Sequence, residues 1–215
     1  AEAEVKTFVE KTGIPFAWTI LGASALPSDH PLNMGMLGMH GNFATNLMSN
    51  ECDVLIAAGM RFDDRVTGNL DFYAKQAKII HMEIDPAEIG KNVPVEVMLQ
   101  GDVKDTFPLL TERVNRSDHV SWIEEFYRLK EIEHEKVIQK DLYPTKPGLT
   151  NGEVIRRINE QTDNDAIVVT DVGQHQMFAS RYTRFKKTRS FITSGGLGTM
   201  GFGLPAAVGA AIGRR

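Results

Sequence analysis

Apolar positions recur at helical spacing over residues 3–12, with Val5, Phe8 and Val9 on one side and Gly13 as the stop. The apolar run 16–21 reads as a strand. Residues 22–41 have no period, being broken by Pro27, Pro31 and glycines, and they close on Gly35-Met-Leu-Gly-Met-His-Gly41. So long a loop inside a domain is functional or a linker. Residues 42–50 fit a short helix. Three further runs, 53–58, 78–84 and 95–99, read as strands, ended by Gly59, Asp85-Pro86 and Gly101-Asp102. Residues 87–91 read as a helical turn. A helix over 104–114 carries Phe107, Leu110 and Val114 on one side. A longer, charged helix over 119–140 has Trp122, Phe126, Leu129 and Ile132 as its apolar stripe, and its charges at 130–136 form a solvated face.

Pro144, Pro147 and Gly148 break the pattern again, which sets a linker at 141–151 between a first domain, 1–140, and a second, 152–215. The second opens with a helix at 152–160 and a strand at 166–170. The turn Asp171-Val-Gly173 leads into a helix opening at Gln174. A strand at 190–193 is followed by Ser194-Gly-Gly-Leu-Gly-Thr-Met-Gly-Phe-Gly203 and an alanine-rich helix over 204–213. Strands alternating with helices predict an α/β fold built on parallel sheets covered on both faces.

Composition narrows the function classes. Across 215 residues the net charge is −4, with no basic stripe to neutralise phosphates, so nucleic acid is not an expected partner. Nor is a membrane, because no apolar run approaches spanning length. The single cysteine, Cys52, excludes an intrachain disulfide and a multi-cysteine metal site; beside the run 54–58 it reads as a buried thiol. Residues 1–11 look like a helix body without a cap, and the chain stops just after a helix. It reads as a piece of a longer protein, and the lack of a leader segment carries no weight.

Ligands of parallel sheets sit outside the carboxyl ends of the strands. That rule selects Gly59-Met-Arg61, Glu83-Ile-Asp85 and Gly101-Asp-Val103, which offer close backbone approach, an arginine and carboxylates for ribose hydroxyls. A nucleotide fits this set. Arg61-Phe-Asp-Asp-Arg65 is either a self-neutralising surface loop or an arginine fork for phosphate held by its aspartates. Lone His40 completes no metal site. In the second domain two consecutive strand ends carry turns suited to phosphate: a glycine followed by a helix start at 173–177, and the glycine loop 194–203.

Asp171-Val-Gly-Gln-His-Gln-Met177 together with the loop 194–206 resembles the diphosphate domain of thiamine-diphosphate enzymes. Leu37-Gly-Met-His-Gly41 with Arg61-Phe-Asp-Asp-Arg-Val-Thr-Gly68 narrows the resemblance to the acetohydroxyacid (acetolactate) synthase large-subunit family. The resemblance implies a Rossmann-like central domain followed by part of the thiamine-diphosphate domain. The implied activity is decarboxylative condensation of pyruvate with a second 2-oxoacid, pyruvate or 2-oxobutyrate, on the route to branched-chain amino acids. Implied cofactors are thiamine diphosphate, a structural FAD and Mg2+. Implied partners are the 2-oxoacid substrates, further copies in a dimer or tetramer, and a small regulatory subunit. The implied compartment is the bacterial cytoplasm, with plastid or mitochondrion as alternatives.

By the same resemblance, Gly173, Gln174 and His175 contact the cofactor diphosphate. Gly198 and Met200 meet the aminopyrimidine, and the Met200 side chain suits the wedge that bends the cofactor. FAD contacts fall on Thr19, Met39, His40, Gly59, Arg61, Asp63, Arg65, Glu83, Ile84, Asp102 and Val103. Two family elements are not in this sequence: the glutamate that activates the aminopyrimidine, and the Gly-Asp-Gly metal motif. No catalytic or metal residue is therefore assigned, and the 215-residue chain alone is expected to be inactive, with apolar surface exposed near residues 197–204. Two other readings stand beside this one: a glyoxylate carboligase-like enzyme, and a nucleotide-binding module without catalysis.

Overall fold

Helix α1 (Glu2–Thr12) runs from an acidic first turn to Gly13, whose N–H donates to the Val9 carbonyl and ends it. Strand β1 (Phe16–Trp18) and a 3-10 turn (Ile20–Gly22) follow, then β2 (Asn33–Met36), α2 (Phe43–Ser49), β3 (Val54–Ala58) and the single-turn helix α3 (Asp64–Thr67). Next come β4 (Lys78–Glu83), β5 (Val97–Gln100), α4 (Val103–Arg113), α5 (Val120–Glu133), a π-helical turn (His134–Ile138) and α6 (Gln139–Leu142). The rest is α7 (Asn151–Gln161), β6 (Val168–Thr170), α8 (Gln174–Tyr182), β7 (Phe191–Thr193) and α9 (Gly203–Gly213). The structure, a computed structural model, describes residues 1–214.

Every strand pair is parallel: β1 with β2, β3–β4–β5 in that order, and β6 with β7. Strand alternation sorts the side chains of the three-stranded sheet. Ile56, Met82 and Leu99 meet Phe8 and Val9 of α1 and Phe107 of α4, with the Phe8 and Phe107 rings 5.1 Å apart. Leu55, Ala57 and Ile79 point the other way, onto Phe62, Tyr73 and Val93. A third cluster packs Met34 of β2 and Met48 of α2 against Phe126 and Leu129 of α5. Met34 and Met82 are wholly buried, each contributing about 1.5–3 kcal/mol relative to exposure.

The expected α/β class and parallel sheets are present. Local expectations differ in several places. The stretch 22–41 holds β2: its four residues are too few to show alternation, yet burial of Met34 and Met36 and a bond from Trp18 Nε1 to Asn33 Oδ1 (3.1 Å) fix it. The strand expected at 16–21 stops at Trp18, because the chain turns through the 3-10 segment. Residues 87–91 form a turn, not a helix, while 64–67 form one that the charge-rich sequence hid. The helix expected over 119–140 widens into a π turn at His134–Ile138.

The two halves meet through backbone and buried side chains. Ser28 N donates to Phe185 O and Phe185 N to Ser28 Oγ, both at 2.9 Å. Ser190 N donates to Ser24 Oγ at 3.1 Å. Arg181 donates to Gly41 O at 2.9 Å and pairs with Glu133, whose side chain is only 3% exposed.

Candidate functional site: aligned strand ends and a glycine loop

The register of the parallel sheet aligns the ends picked out from sequence. Ala58 pairs with Met82, and Glu83 with Gln100. Gly59 N donates to Met82 O at 2.8 Å and Gly101 N to Glu83 O at 3.0 Å. Gly59, Glu83 and Asp102 thus stand along one carboxyl edge. Gly59 has φ +62°, and a Cβ there would meet nothing within 4 Å, so the turn is open to an approaching group. Glu83 is buried, and its Oε1 accepts from the N–H groups of Ile84 (2.8 Å) and Asp85 (3.3 Å). Ile84 itself is exposed. Asp102 caps α4, accepting from Lys104 N at 2.8 Å, and Val103 is the first residue of that helix.

The arginine segment has a defined frame. Asp63 caps α3 by accepting from Arg65 N at 3.0 Å. Arg61 Nη2 lies 3.9 Å from Asp63, a loose pair between an exposed arginine and a partly buried aspartate. Among the described residues no carboxylate lies within ion-pair distance of the exposed Arg65 guanidinium. Two cations therefore stand with little local neutralisation, as a phosphate site needs. The loop that ends in His40 docks on this segment: Met39 N donates to Arg65 O at 2.7 Å. Burial, then the charges of Arg65 and Arg181, hold the His40 pKa below its usual value.

Thr19 opens the 3-10 turn after β1. That turn meets the glycine loop, since a Cβ on Gly195 would lie 2.9 Å from Leu21. The two candidate regions are thus neighbours. In the second, β6 and β7 end in register at Thr170 and Thr193, joined by a hydroxyl bond of 2.9 Å. Gly173 stands at the start of α8, where the first-turn N–H groups lack helix partners. Gln174 and His175 are exposed there, and the His175 ring folds back over Gly173. Gly198 and Met200 sit on the exposed loop; Leu197, Met200 and Leu204 present apolar surface to solvent.

Sequence reasoning gave no role to the residues that hold these loops. Asn46, on α2, donates to Gly38 O and accepts from Gly38 N, both at 2.8 Å. Asn92 donates to the carbonyls of Arg61 (3.0 Å) and Phe62 (3.1 Å). Buried His81 donates through Nε2 to Met60 O at 2.9 Å. Asp171 accepts from Val172 N at 2.9 Å and from Gly201 N at 2.8 Å, closing the glycine loop onto β6. These backbone bonds hold its carboxyl below the usual range. Asn92 and Asp171 each lie two residues from a glycine, which was the only signal available for them; Asn46 and His81 carry none.

Comparison with known proteins gives the family. Residues 1–110 match the family described as "Thiamine pyrophosphate enzyme, central domain", and residues 171–215 match its "C-terminal TPP binding domain". The chain belongs to the thiamine pyrophosphate enzymes. Among curated proteins it is 44% identical over 217 residues to the probable acetolactate synthase large subunit of Methanocaldococcus jannaschii, covering 99% of this chain and 36% of that protein. It is 42% identical over 210 residues to the acetolactate synthase isozyme 2 large subunit of Escherichia coli, covering 98% of this chain and 37% of the relative. Tobacco acetolactate synthase 2, chloroplastic, is 42% identical over 222 residues, covering 98% of this chain and 32% of its own length. The chain spans about a third of the length of these relatives. No helix among the described residues is long and apolar enough to cross a membrane.

Proposed function

We propose that this chain is the central domain and the opening part of the thiamine-diphosphate domain of an acetolactate synthase large subunit. The complete protein then condenses pyruvate with pyruvate or 2-oxobutyrate. Residues 1–140 form the central domain, 141–151 the linker and 152–215 the start of the cofactor domain. The observation that carries the reading is the alignment of Gly59–Arg61, Glu83 and Asp102 on one sheet edge beside Arg65 and Met39. Family membership and the printed names of the relatives support it.

The residues present fit both organic cofactors. The open turn at Gly59 and the weakly neutralised Arg61 and Arg65 suit the diphosphate of FAD, with Asp63 framing the arginines. Glu83 and Asp102 suit its hydroxyl groups; Thr19, Met39, His40, Ile84 and Val103 complete the wall. Gly173, Gln174 and His175 suit the diphosphate of thiamine diphosphate at the α8 start, and Gly198 and Met200 its ring. Thiamine diphosphate, when bound, supplies the electron sink for decarboxylation of a 2-oxoacid. This chain's part is to bind, orient and wall the cleft. Magnesium would be held by residues outside this sequence, and the large-subunit names suggest a smaller regulatory partner.

Product analysis on the complete protein tests the proposal. Acetolactate from pyruvate supports it; carboligation of glyoxylate alone, with no acetolactate, refutes it. Replacing Arg61 and Arg65 together by alanine is expected to strip flavin absorbance from the gel-filtered protein. Unchanged retention removes the flavin assignment.

A further inference from the structure

Helix α8 opens at the candidate diphosphate turn, Gly173, and its last turn carries Arg181. That side chain crosses the seam between the two halves. One terminal nitrogen donates to Gly41 O at 2.9 Å, and the other to the buried Glu133 carboxylate at the end of α5. The Nε–H stays buried with no acceptor. A guanidinium that leaves one donor unpaired must offset that cost through its other two bonds. The Gly41 bond falls on the loop proposed to wall the FAD. Gly41 is buried, and among the described residues Arg181 is the only donor to its carbonyl.

A buried carbonyl requires a donor, so this part of the loop depends on a residue of the second half. The central half holds the rest by itself. Asn46 brackets Gly38, Met39 N donates to Arg65 O, and Gly41 N donates to Gly38 O at 2.8 Å. A Cβ on Gly41 would overlap the Met36 carbonyl, so the loop lies tight against the end of β2 and a shift of Gly41 passes to His40 and Met39. We propose that Arg181 is a positioning residue for FAD: it fixes Met39, His40 and Gly41 from the second half, and the flavin wall is complete only with α8 docked. The inference rests on the FAD reading above.

The alternative is that Arg181 only staples the seam. Arg181→Met alone would strand the Glu133 charge, so the deciding variant is Arg181→Met with Glu133→Gln, which removes the donor and leaves no unpaired buried ion. Two controls accompany it in the complete large subunit. Glu133→Gln alone keeps the Gly41 bond. Ser28→Ala removes another seam bond, from Phe185 N to Ser28 Oγ, without touching the loop. FAD titration of the deflavinated proteins and amide exchange at Met39 and Gly41 are the two readouts. The double variant is expected to raise the FAD Kd tenfold or more and to speed exchange at both amides, while each control stays within twofold of the wild type. Should the double variant not fold, Arg181→Met with Glu133→Leu, an apolar pair, takes its place. Unchanged FAD affinity or unchanged exchange in the folded double variant overturns the proposal, as does equal weakening by Ser28→Ala. A wild type that binds no FAD overturns the flavin reading itself, and this inference with it.

Discussion

Gly38 joins the two parts of the strand-end site, and Gly38→Ala tests whether that junction holds the proposed FAD. Its φ is +103°, and a Cβ there would lie 2.7 Å from the Arg65 carbonyl oxygen and 3.1 Å from Val66 Cα. The conformation alone costs about 1–3 kcal/mol for an L side chain. The obstacle is backbone rather than a yielding side chain, so the loop must lift. Lifting breaks the Met39 N to Arg65 O bond, worth about 1 kcal/mol. The sum, about 2–4 kcal/mol, corresponds to a weakening of FAD of roughly 30- to 700-fold, because 1.4 kcal/mol is tenfold. Gly148→Ala is the control. Its φ is +115° with nothing within 4 Å, and it lies in the linker outside every proposed cofactor contact, so the strain falls on the fold and FAD affinity is expected to stay unchanged. The assay is FAD titration of the deflavinated complete protein by fluorescence quenching, with far-ultraviolet circular dichroism to confirm folding. If folded Gly38→Ala binds FAD as tightly as the wild type, or Gly148→Ala weakens FAD as much, the loop does not hold the proposed FAD.

Three further outcomes are expected. Arg181→Met leaves the buried Glu133 carboxylate without its cation and lowers stability by about 3–5 kcal/mol, whereas Glu133→Gln costs less; equal urea midpoints for wild type and Arg181→Met would show that the pair is not closed. Asp171 has a depressed folded pKa, so its contribution is complete above the ordinary aspartate range near 3.8 and is lost as pH falls through the folded value. Asp171→Asn should therefore speed amide exchange at Gly201 and Gly203 at pH 7, and unchanged protection argues against the clamp. Burial, then the charge of Asp53, pushes the Cys52 thiol from 9.0 to about 11, which cuts its thiolate fraction at pH 7 about 100-fold; labelling by a thiol-specific reagent should be correspondingly slow, and reaction at the rate of a free thiol contradicts the burial.

What the sequence determined by itself is whatever is written in contiguous residues. The runs 53–58 and 78–84 announce strands because parallel-sheet strands are apolar on both faces, and Gly13 announces the end of α1. Gly59, Glu83 and Asp102 were legible as candidates because strand ends in such sheets share an edge, whatever the register. The loop 37–41 and the glycine loop were legible because so much glycine has few structural uses. What only the tertiary structure decided depends on partners distant in sequence. Strand β2 exists because Met34 finds α2 and α5, not because four residues prefer extension. Asn46, Asn92, His81 and Asp171 look like ordinary polar residues until their hydrogen-bond partners are known. The pairing of Arg181 with Glu133, 48 positions apart, arises only where the two halves meet. A charge or donor acquires its meaning from burial and geometry, and neither is local to the chain.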